Sequence, residues 1–181
     1  MTPAVKPRVL IVDDKESNRI AFQAVLEREF SVTVAESGME GVELCRSYEF
    51  AVIVLDVRMP GMDGFDTAET LRKHDTTRAT PIIIFTSAYE QHMVQINRAF
   101  IAGATDFLFS PVEPELLRLK VSTYAQIYLE HNALRHQVQQ LKDALAELRA
   151  ELARRGQAVT EVRRRLDTAE KRASEIGPKD P

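Results

Sequence analysis

The sequence has a single cysteine, no tryptophan and no long apolar run. One cysteine cannot form a disulfide within the chain, so Cys45, which falls in a helical pattern, is expected to be a small core residue. No apolar stretch approaches the about 20 residues that a membrane-spanning helix needs, and the N-terminus lacks the apolar core of a signal peptide. We therefore expect a cytoplasmic protein with no membrane partner.

A large excess of either charge is absent too. The formal net charge is −3 and the sequence pI is about 5.9, so there is no electrostatic case for a nucleic-acid partner. The run 163–165 is basic, but Glu161, Asp167 and Glu170 lie around it, which is typical of a solvated helix face. The four histidines show no spacing typical of metal ligands. We expect no nucleic-acid partner.

The stretch AVIVLDVRMPGMDG, residues 51–64, organises the rest of the chain. Its first five residues are apolar and rich in β-branched side chains, which favours a central parallel strand covered on both faces. Pro60 and the two glycines that follow favour a turn, so Asp56 lies where the strand ends. Open α/β sheets bind ligands at this edge, which makes Asp56 the candidate reaction centre.

Strand and helix patterns alternate five times, which predicts a doubly wound α/β fold with a five-stranded parallel sheet. The 181 residues are enough for one such domain and an appendage. Predicted strands are Arg8–Val12, Ser31–Ala35, Ala51–Asp56, Pro81–Thr86 and Asp106–Phe109. Predicted helices run from Asp14 to Glu27, Met39 to Ser47, Asp63 or Gly64 to Lys73, Glu90 to Ala102, and onward from Pro114.

The first helix is expected to use Asp14 as its N-cap. Its inward positions are predicted to be Ile20, Ala24 and Val25, in a stripe widened by Phe22 and Leu26.

Three acids are expected to meet at one edge of the sheet. Asp13 and Asp14 follow the first strand and Asp56 ends the third, so they converge if these strands are neighbours. Their repulsion would be relieved by a divalent cation, and a few hard oxygen ligands favour Mg²⁺. When Asp13 and Asp14 are considered without Asp56, an equally good interpretation is that Asp13 caps the helix and Asp14 is a surface charge. A carboxylate beside Mg²⁺ can attack a phosphoryl group and form an aspartyl phosphate.

The motifs LIVDDKESNR, VLDVRMPGMDG, IIIFTSAYE and GATDFLFSP occur in the order found in response-regulator receiver domains, and the chain resembles that family over residues 6–126. The resemblance implies a flavodoxin-like (β/α)5 fold and a phosphoacceptor module of a two-component phosphorelay. The phosphodonor would be a histidine kinase or a phosphotransfer protein. No enzymatic activity is implied beyond autocatalytic phosphoryl acceptance and dephosphorylation.

By this resemblance, Asp56 is the phosphoacceptor. Asp13, Asp14 and the backbone carbonyl of Arg58 would hold Mg²⁺ together with Asp56. The resemblance thus assigns the metal ligands to positions that the strand pattern already brings to one edge.

The resemblance also implies a switch. Thr86 matches the hydroxyl residue that moves to contact the phosphate, and Ser87 is the small residue beside it. Phe107 matches the aromatic residue whose rotamer follows. Without the other motifs, a strand-ending threonine and a core phenylalanine would be the simpler interpretation.

One position departs from the family. Ser110–Pro111 stands where the family has Lys-Pro, so the cation that pairs with the phosphoacceptor is missing. Because the acids and Thr86 do not depend on that lysine, we expect phosphorylation with weakened coupling to the output face. A receiver that signals without phosphate is the alternative. Pro111 keeps the family's usual site for a cis peptide.

The closing helix is predicted to continue as a coiled coil. Its a/d series is unbroken and only His131 and Arg155 are plainly polar, which predicts self-association as a parallel homodimer, although the sequence does not exclude a trimer or tetramer. At about 1.5 Å per residue, the helix would be a rod of about 90 Å. Arg155 and Gly156 weaken its centre. The series is Tyr124, Ile127, His131, Leu134, Val138, Leu141, Leu145, Leu148, Leu152, Arg155, Val159, Val162, Leu166, Ala169, Ala173 and Ile176.

These patterns predict a receiver domain over residues 1–126, a coiled-coil helix over 127–176 and a breaker-rich tail over 177–181. Two functions remain open. In the first, phosphorylation of the receiver biases a dimeric coiled coil that acts on a protein partner or on an output domain outside this sequence. In the second, a degenerate receiver is a constitutive dimeric scaffold that binds its partner without phosphate.

Overall fold

The computed structural model describes residues 6–86 and 92–175. Strands and helices alternate, as the sequence predicts. The strands are β1 (Arg8–Val12), β2 (Ser31–Ala35), β3 (Val52–Asp56), β4 (Ile82–Thr86) and β5 (Asp106–Phe109). The helices are α1 (Glu16–Leu26), α2 (Gly38–Ser47), α3 (Gly64–Arg72), α4 (His92–Ile101) and α5 (Pro114–Glu175).

The five strands form one parallel sheet in the order β2-β1-β3-β4-β5. β1 and β3 are neighbours, with Val12 in register with Leu55. The strand order reverses between β1 and β3, which is where doubly wound sheets open a binding crevice. The predicted flavodoxin-like fold is confirmed, and the acids that follow β1 and end β3 share one edge.

Apolar side chains cover both faces of the sheet. On one face, Leu10, Ile53 and Ile84 pack with side chains from α2, α3 and α4. On the other, Val9 and Val54 pack with side chains from α1 and α5. Every residue of β3 is buried, which explains why its sequence shows no polar alternation.

The turn after β3 is closed by backbone contacts. The amide of Gly64 donates to the carbonyl of Val57 at 2.9 Å, and Asp63 caps α3 by accepting from the amide of Asp66 at 2.8 Å. A Cβ atom on Gly64 would lie 2.1 Å from the carbonyl oxygen of Asp56. Glycine is therefore required here because α3 starts directly against the backbone of the candidate reaction centre.

The prediction for α1 was wrong in its start and in part of its face, since Phe22 and Leu26 are buried as predicted and Val25 packs against the core, but Ile20 and Ala24 do not. Lys15, not Asp14, is the N-cap residue, and Asp13 accepts the Lys15 amide at 2.7 Å. Ile20 is 60% exposed and Ala24 is also exposed. The buried residues are Arg19, Phe22 and Leu26, spaced by three and four, because the long polar side chain of Arg19 finds partners inside.

Other boundaries shift by one or two residues. α2 begins one residue early, at Gly38, because Ser37 caps it by accepting from the amide of Glu40. The predicted start of the fourth helix at Glu90 lies outside the described residues, and α4 ends at Ile101. Ile176 and the predicted tail also lie outside the described residues.

The chain divides into two compact units, residues 1–132 and 133–181. The described part of the second unit is helical, and its predicted a/d side chains are exposed. Among the described helices, none combines the length and apolarity that crossing a membrane requires. The exposed large apolar residues of the second unit are Leu134, Val138, Leu141, Leu145, Leu148, Leu152, Val159, Val162 and Leu166.

Candidate phosphoacceptor site

Three carboxylates meet at the edge of the sheet where β1 and β3 end. Each of Asp13, Asp14 and Asp56 offers an oxygen atom within 4.8 Å of the others. Asp13 and Asp56 are buried, and Asp14 is partly buried. The convergence expected from the sequence is therefore present, since parallel neighbouring strands deliver their carboxyl ends to one edge.

Burial and the neighbouring negative charges raise the pKa values of Asp13 and Asp56. Burial, followed by the charge of Asp13, raises the pKa of Asp56 from 3.8 to about 6, although the amides of Arg58 and Val57 hydrogen bond to its carboxylate and act in the opposite direction. Burial also raises the pKa of Asp13, and the charge of Asp14 adds to this. The site therefore disfavours its own negative charge in the absence of a cation.

Asp14 has an unpartnered oxygen. Its Oδ1 atom is buried and has no hydrogen-bond partner among the described residues. Leaving a buried carboxylate oxygen unpaired costs free energy, which a ligand in this position would offset. An all-oxygen donor set of few protein ligands suits Mg²⁺, which keeps much of its water, so the residues present fit this ion.

Arg19 and Asn18 support the acids from α1. One nitrogen of the buried Arg19 guanidinium donates to the carbonyls of Asp13 and Asp14, at 2.8 and 3.1 Å, and the other donates to Glu36 at 3.0 Å. The amide of Asn18 donates to Asp13 Oδ2 at 2.7 Å. Sequence reasoning missed both residues, although an arginine four positions after the N-cap residue Lys15, close to an acid pair, was a usable signal.

Thr86 and Phe107, the predicted switch pair, line one apolar pocket. Thr86 is buried at the end of β4, and Phe107 makes edge-to-face contacts with Phe100 and Phe109 at centroid distances of 5.9 and 5.1 Å. The remaining predicted phosphate contact, Ser87, lies outside the described residues. The pocket is lined by Val57, Phe65, Ile84, Thr86, Ile96, Ala99, Phe107 and Phe109.

Ser110 joins β5 to the end of β4. Its amide donates to the carbonyl of Thr86 at 2.8 Å, and the Ser110–Pro111 peptide is cis, as the sequence predicted. Position 110 provides no cation, but the positive charge of Lys15 partly opposes the rise in the pKa values of Asp13 and Asp56. It does not outweigh burial at either acid.

Comparison with known proteins identifies the family. Residues 9–122 match the response regulator receiver domain, so the chain belongs to this family. It is 38% identical over 116 residues to the transcriptional regulatory protein SrrA of Staphylococcus aureus, covering 62% of this chain and 45% of SrrA. It is 32% identical over 137 residues to hybrid signal transduction histidine kinase G of Dictyostelium discoideum, covering 74% of this chain and 4% of the kinase.

Solved structures show the same fold. The chemotaxis protein CheY4 of Vibrio cholerae is 29% identical and superposes with a TM-score of 0.62, covering 66% of this chain and 99% of CheY4. A response regulator of Chloroflexus aurantiacus, also 29% identical, superposes with a TM-score of 0.63 over 67% of this chain and 98% of its own. The chain spans less than half the length of the curated relatives named above.

Proposed function

We propose that Asp56 accepts a phosphoryl group from the phosphohistidine of a histidine kinase or phosphotransfer protein. A carboxylate oxygen of Asp56 attacks phosphorus as the bond from phosphorus to the imidazole nitrogen breaks, and the histidine leaves with its electron pair. The observation that carries this proposal is the cluster of Asp13, Asp14 and Asp56 within 4.8 Å, with the Asp14 oxygen unpaired. Such a cluster suits a cation beside a nucleophile.

Asp13, Asp14, Asp56 and the backbone carbonyl of Arg58 are proposed to hold Mg²⁺. When bound, the ion would neutralise negative charge on the phosphoryl oxygens and on the three carboxylates. The Lys15 amide and the Asn18 side chain both donate to the Asp13 carboxylate. The Asp13 side chain is therefore already held in one orientation before a metal binds.

The phosphorylated state is proposed to be read by Thr86 and Ser87, with Phe107 following. The adjacency of Thr86 and Phe107 along one pocket supports this step. Ser110 removes one charge-assisted contact to the phosphate, so the coupling should be weaker than with lysine.

Beryllofluoride, a phosphoryl analogue, tests the site. It should bind the full chain only when Mg²⁺ is present and should shift the NMR signals of Thr86 and Phe107. Asp56→Asn should abolish binding, whereas Asp75→Asn, at an exposed turn, should not change it. Binding that persists in Asp56→Asn would overturn the assignment.

The helix beyond the receiver, residues 127–176, is proposed to be a homodimeric coiled coil that passes the receiver's state to a protein partner or output domain, with residues 1–126 as the receiver and 177–181 as a tail. The exposed a/d side chains of the second unit support this, because an apolar stripe of that length needs a partner to be buried.

Sedimentation tests the dimer. Replacing Leu141 and Leu148 with lysine should give a folded monomer that still binds beryllofluoride with Mg²⁺. The matched control replaces Ala146 and Ala150, which lie off the stripe, with lysine and should stay dimeric. An unchanged oligomer in the leucine variant would show that the chains do not meet along this stripe.

Ser110 supports a second candidate function, a dimeric scaffold that binds its partner without phosphate. In that case, Asp56→Asn would bind the partner as tightly as the parent, in the presence or absence of phosphodonor. Under the first proposal, partner affinity should change on phosphorylation and the change should vanish in Asp56→Asn.

A further inference from the structure

The exposed apolar stripe of α5 is interrupted by one ion pair. In heptad terms, Leu145 and Leu152 are a residues and Leu148 and Val162 are d residues, with exposed fractions of 47, 60, 57 and 58%. Arg155 occupies the d position between the last two. Its Nε atom donates to Glu151 Oε1 at 2.9 Å. The stripe therefore contains one charged residue, Arg155, and the residue that pairs with it, Glu151, lies beside the stripe.

Glu151 is a g residue and binds two arginines. Besides Arg155, it accepts from Arg154 at 2.9 Å, so the carboxylate is fixed in place beside the stripe. Glu161 makes the same pattern with Arg164 and Arg165, but it lies at a c position, away from the stripe. Both glutamates pair with the arginines three and four positions on, Glu161 through one additional hydrogen bond from Arg164 at 3.0 Å, and they differ in their position relative to the seam.

We propose that a second copy of this chain packs on the stripe in parallel and in register, with the Arg155–Glu151 pairs of the two copies forming the layer that fixes the register. The inference deepens the proposed homodimer and depends on it. In a parallel pair, a g residue faces the e residue five positions on in the other helix. Glu151 then faces Gly156 of the second copy, which has no side chain to compete with Arg155 for the carboxylate.

Charges on the flanks favour the parallel arrangement. Parallel pairing places Arg165 beside Glu170 of the second copy, an attractive pair. Antiparallel pairing instead brings e positions of the two copies together. Four of the described e residues of the second unit are basic, namely Arg135, Lys142, Arg149 and Arg163, and one, Glu170, is acidic, so antiparallel pairing brings together positions with an excess of positive charge.

The charged layer fixes the register of the two helices but lowers the stability of the dimer. Moving one helix by a heptad would place Arg155 against an apolar d residue of the second copy, and it would be the only charge in that layer. A single polar residue in a coiled-coil seam commonly selects register and orientation for this reason, because a buried charge must keep its partner.

Disulfide trapping tests orientation and register. Two full-length chains, Leu141→Cys and Leu166→Cys, are made with Cys45→Ala and with tags of different size. Mixed and oxidised, they should form disulfides only between like chains, because these positions lie about 37 Å apart along a parallel dimer at 1.5 Å per residue. Disulfides between unlike chains would indicate an antiparallel dimer and overturn the inference while leaving the dimer intact. A monomer in sedimentation would instead overturn both this inference and the proposed homodimer. Beryllofluoride binding would still test the phosphoacceptor site independently of the dimer.

The role of the charged layer is tested by matched variants. Glu151→Gln should raise the dimer dissociation constant about tenfold by leaving Arg155 unpaired, and Glu161→Gln should change it less than about twofold. Arg155→Leu should tighten the dimer and allow disulfides between Leu141→Cys and Leu148→Cys chains, which lie one heptad apart and which the register of the parent keeps separate. Equal effects of the two glutamate variants, or an Arg155→Leu dimer that keeps a single register, would overturn the assignment of the layer.

Discussion

The guanidinium of Arg19 donates a 2.8 Å hydrogen bond to the backbone carbonyl of Asp13. This contact joins the inward face of α1 to the loop that presents the acid pair. Because that guanidinium also pairs with Glu36, it holds the loop between two elements. Arg19 thus positions the proposed metal ligands through their backbone carbonyls.

Arg19→Met should weaken Mg²⁺ binding about tenfold, since the hydrogen bonds from Arg19 to the carbonyls of Asp13 and Asp14 orient these ligands. Isothermal titration calorimetry with Mg²⁺ measures this, and Arg19→Lys should recover part of the affinity. Arg46→Met is the control, because Arg46 is exposed and pairs only with Glu43 among the described contacts. Equal Mg²⁺ affinity in Arg19→Met and the parent would show that the loop holds its own geometry.

Asp56→Asn should stabilise the metal-free protein at neutral pH. Folding raises the pKa of Asp56 from 3.8 to about 6, so the folded state holds this proton more tightly than the unfolded state. The cost of ionising Asp56 is absent below about pH 4, grows between pH 4 and 6, and is complete above pH 6, at most about 3 kcal/mol.

Urea unfolding in EDTA at pH 4 and pH 7.5 measures this difference. Asp56→Asn should have a larger free energy of unfolding than the parent only at the higher pH. Added Mg²⁺ should stabilise the parent more than the variant. Asp75→Asn should leave the free energy of unfolding nearly unchanged. A variant with the same advantage at both pH values would contradict the ionisation cost.

Gly64→Ala should destabilise the receiver by about 1–3 kcal/mol and weaken beryllofluoride binding. The new Cβ would lie 2.1 Å from the Asp56 carbonyl oxygen, and backbone atoms cannot yield as a side chain can. Gly156→Ala is the contrasting variant, since its Cβ would meet nothing within 4 Å and the helix should gain about 1 kcal/mol. If Gly64→Ala keeps both stability and binding, the turn is less tightly packed than described.

Ser110→Lys should lower the pKa of Asp56 and strengthen the response of Phe107 to beryllofluoride, because it restores a cation at the end of β5. Carbon-13 NMR of the aspartate carboxyl groups and the Phe107 ring signals report both effects. Ser110→Met, similar in length but uncharged, should do neither. If lysine and methionine give the same Phe107 response, Ser110 does not limit the coupling.

Much of the fold could be predicted from the sequence. The unbroken apolar run ending in Asp56 identifies β3 as a central strand, and five alternations of strand and helix predict the parallel sheet. The neighbouring positions of β1 and β3 then bring Asp13 and Asp14 to Asp56. These features depend on periodicity and on strand order, which local patterns and the handedness of crossovers determine.

The face of α1 could not be predicted from apolar periodicity. Arg19 is buried because its guanidinium bonds three acceptors, and those partners come from the β1–α1 loop and from the end of β2. Counting apolar side chains instead placed Ile20 inside, where the structure has it 60% exposed. The unpaired Oδ1 of Asp14 likewise depends on packing that no local pattern records.

Phosphorylation itself tests the central claim most directly. The full chain is incubated with phosphoramidate and Mg²⁺, followed by intact-mass analysis and by borohydride reduction to locate the acyl phosphate. We expect one phosphoryl group per chain, on Asp56, that does not form when EDTA is present from the start and is absent in Asp56→Asn, with Asp75→Asn behaving as the parent. No phosphoryl group in the presence of Mg²⁺, or one located on a residue other than Asp56, would contradict the account.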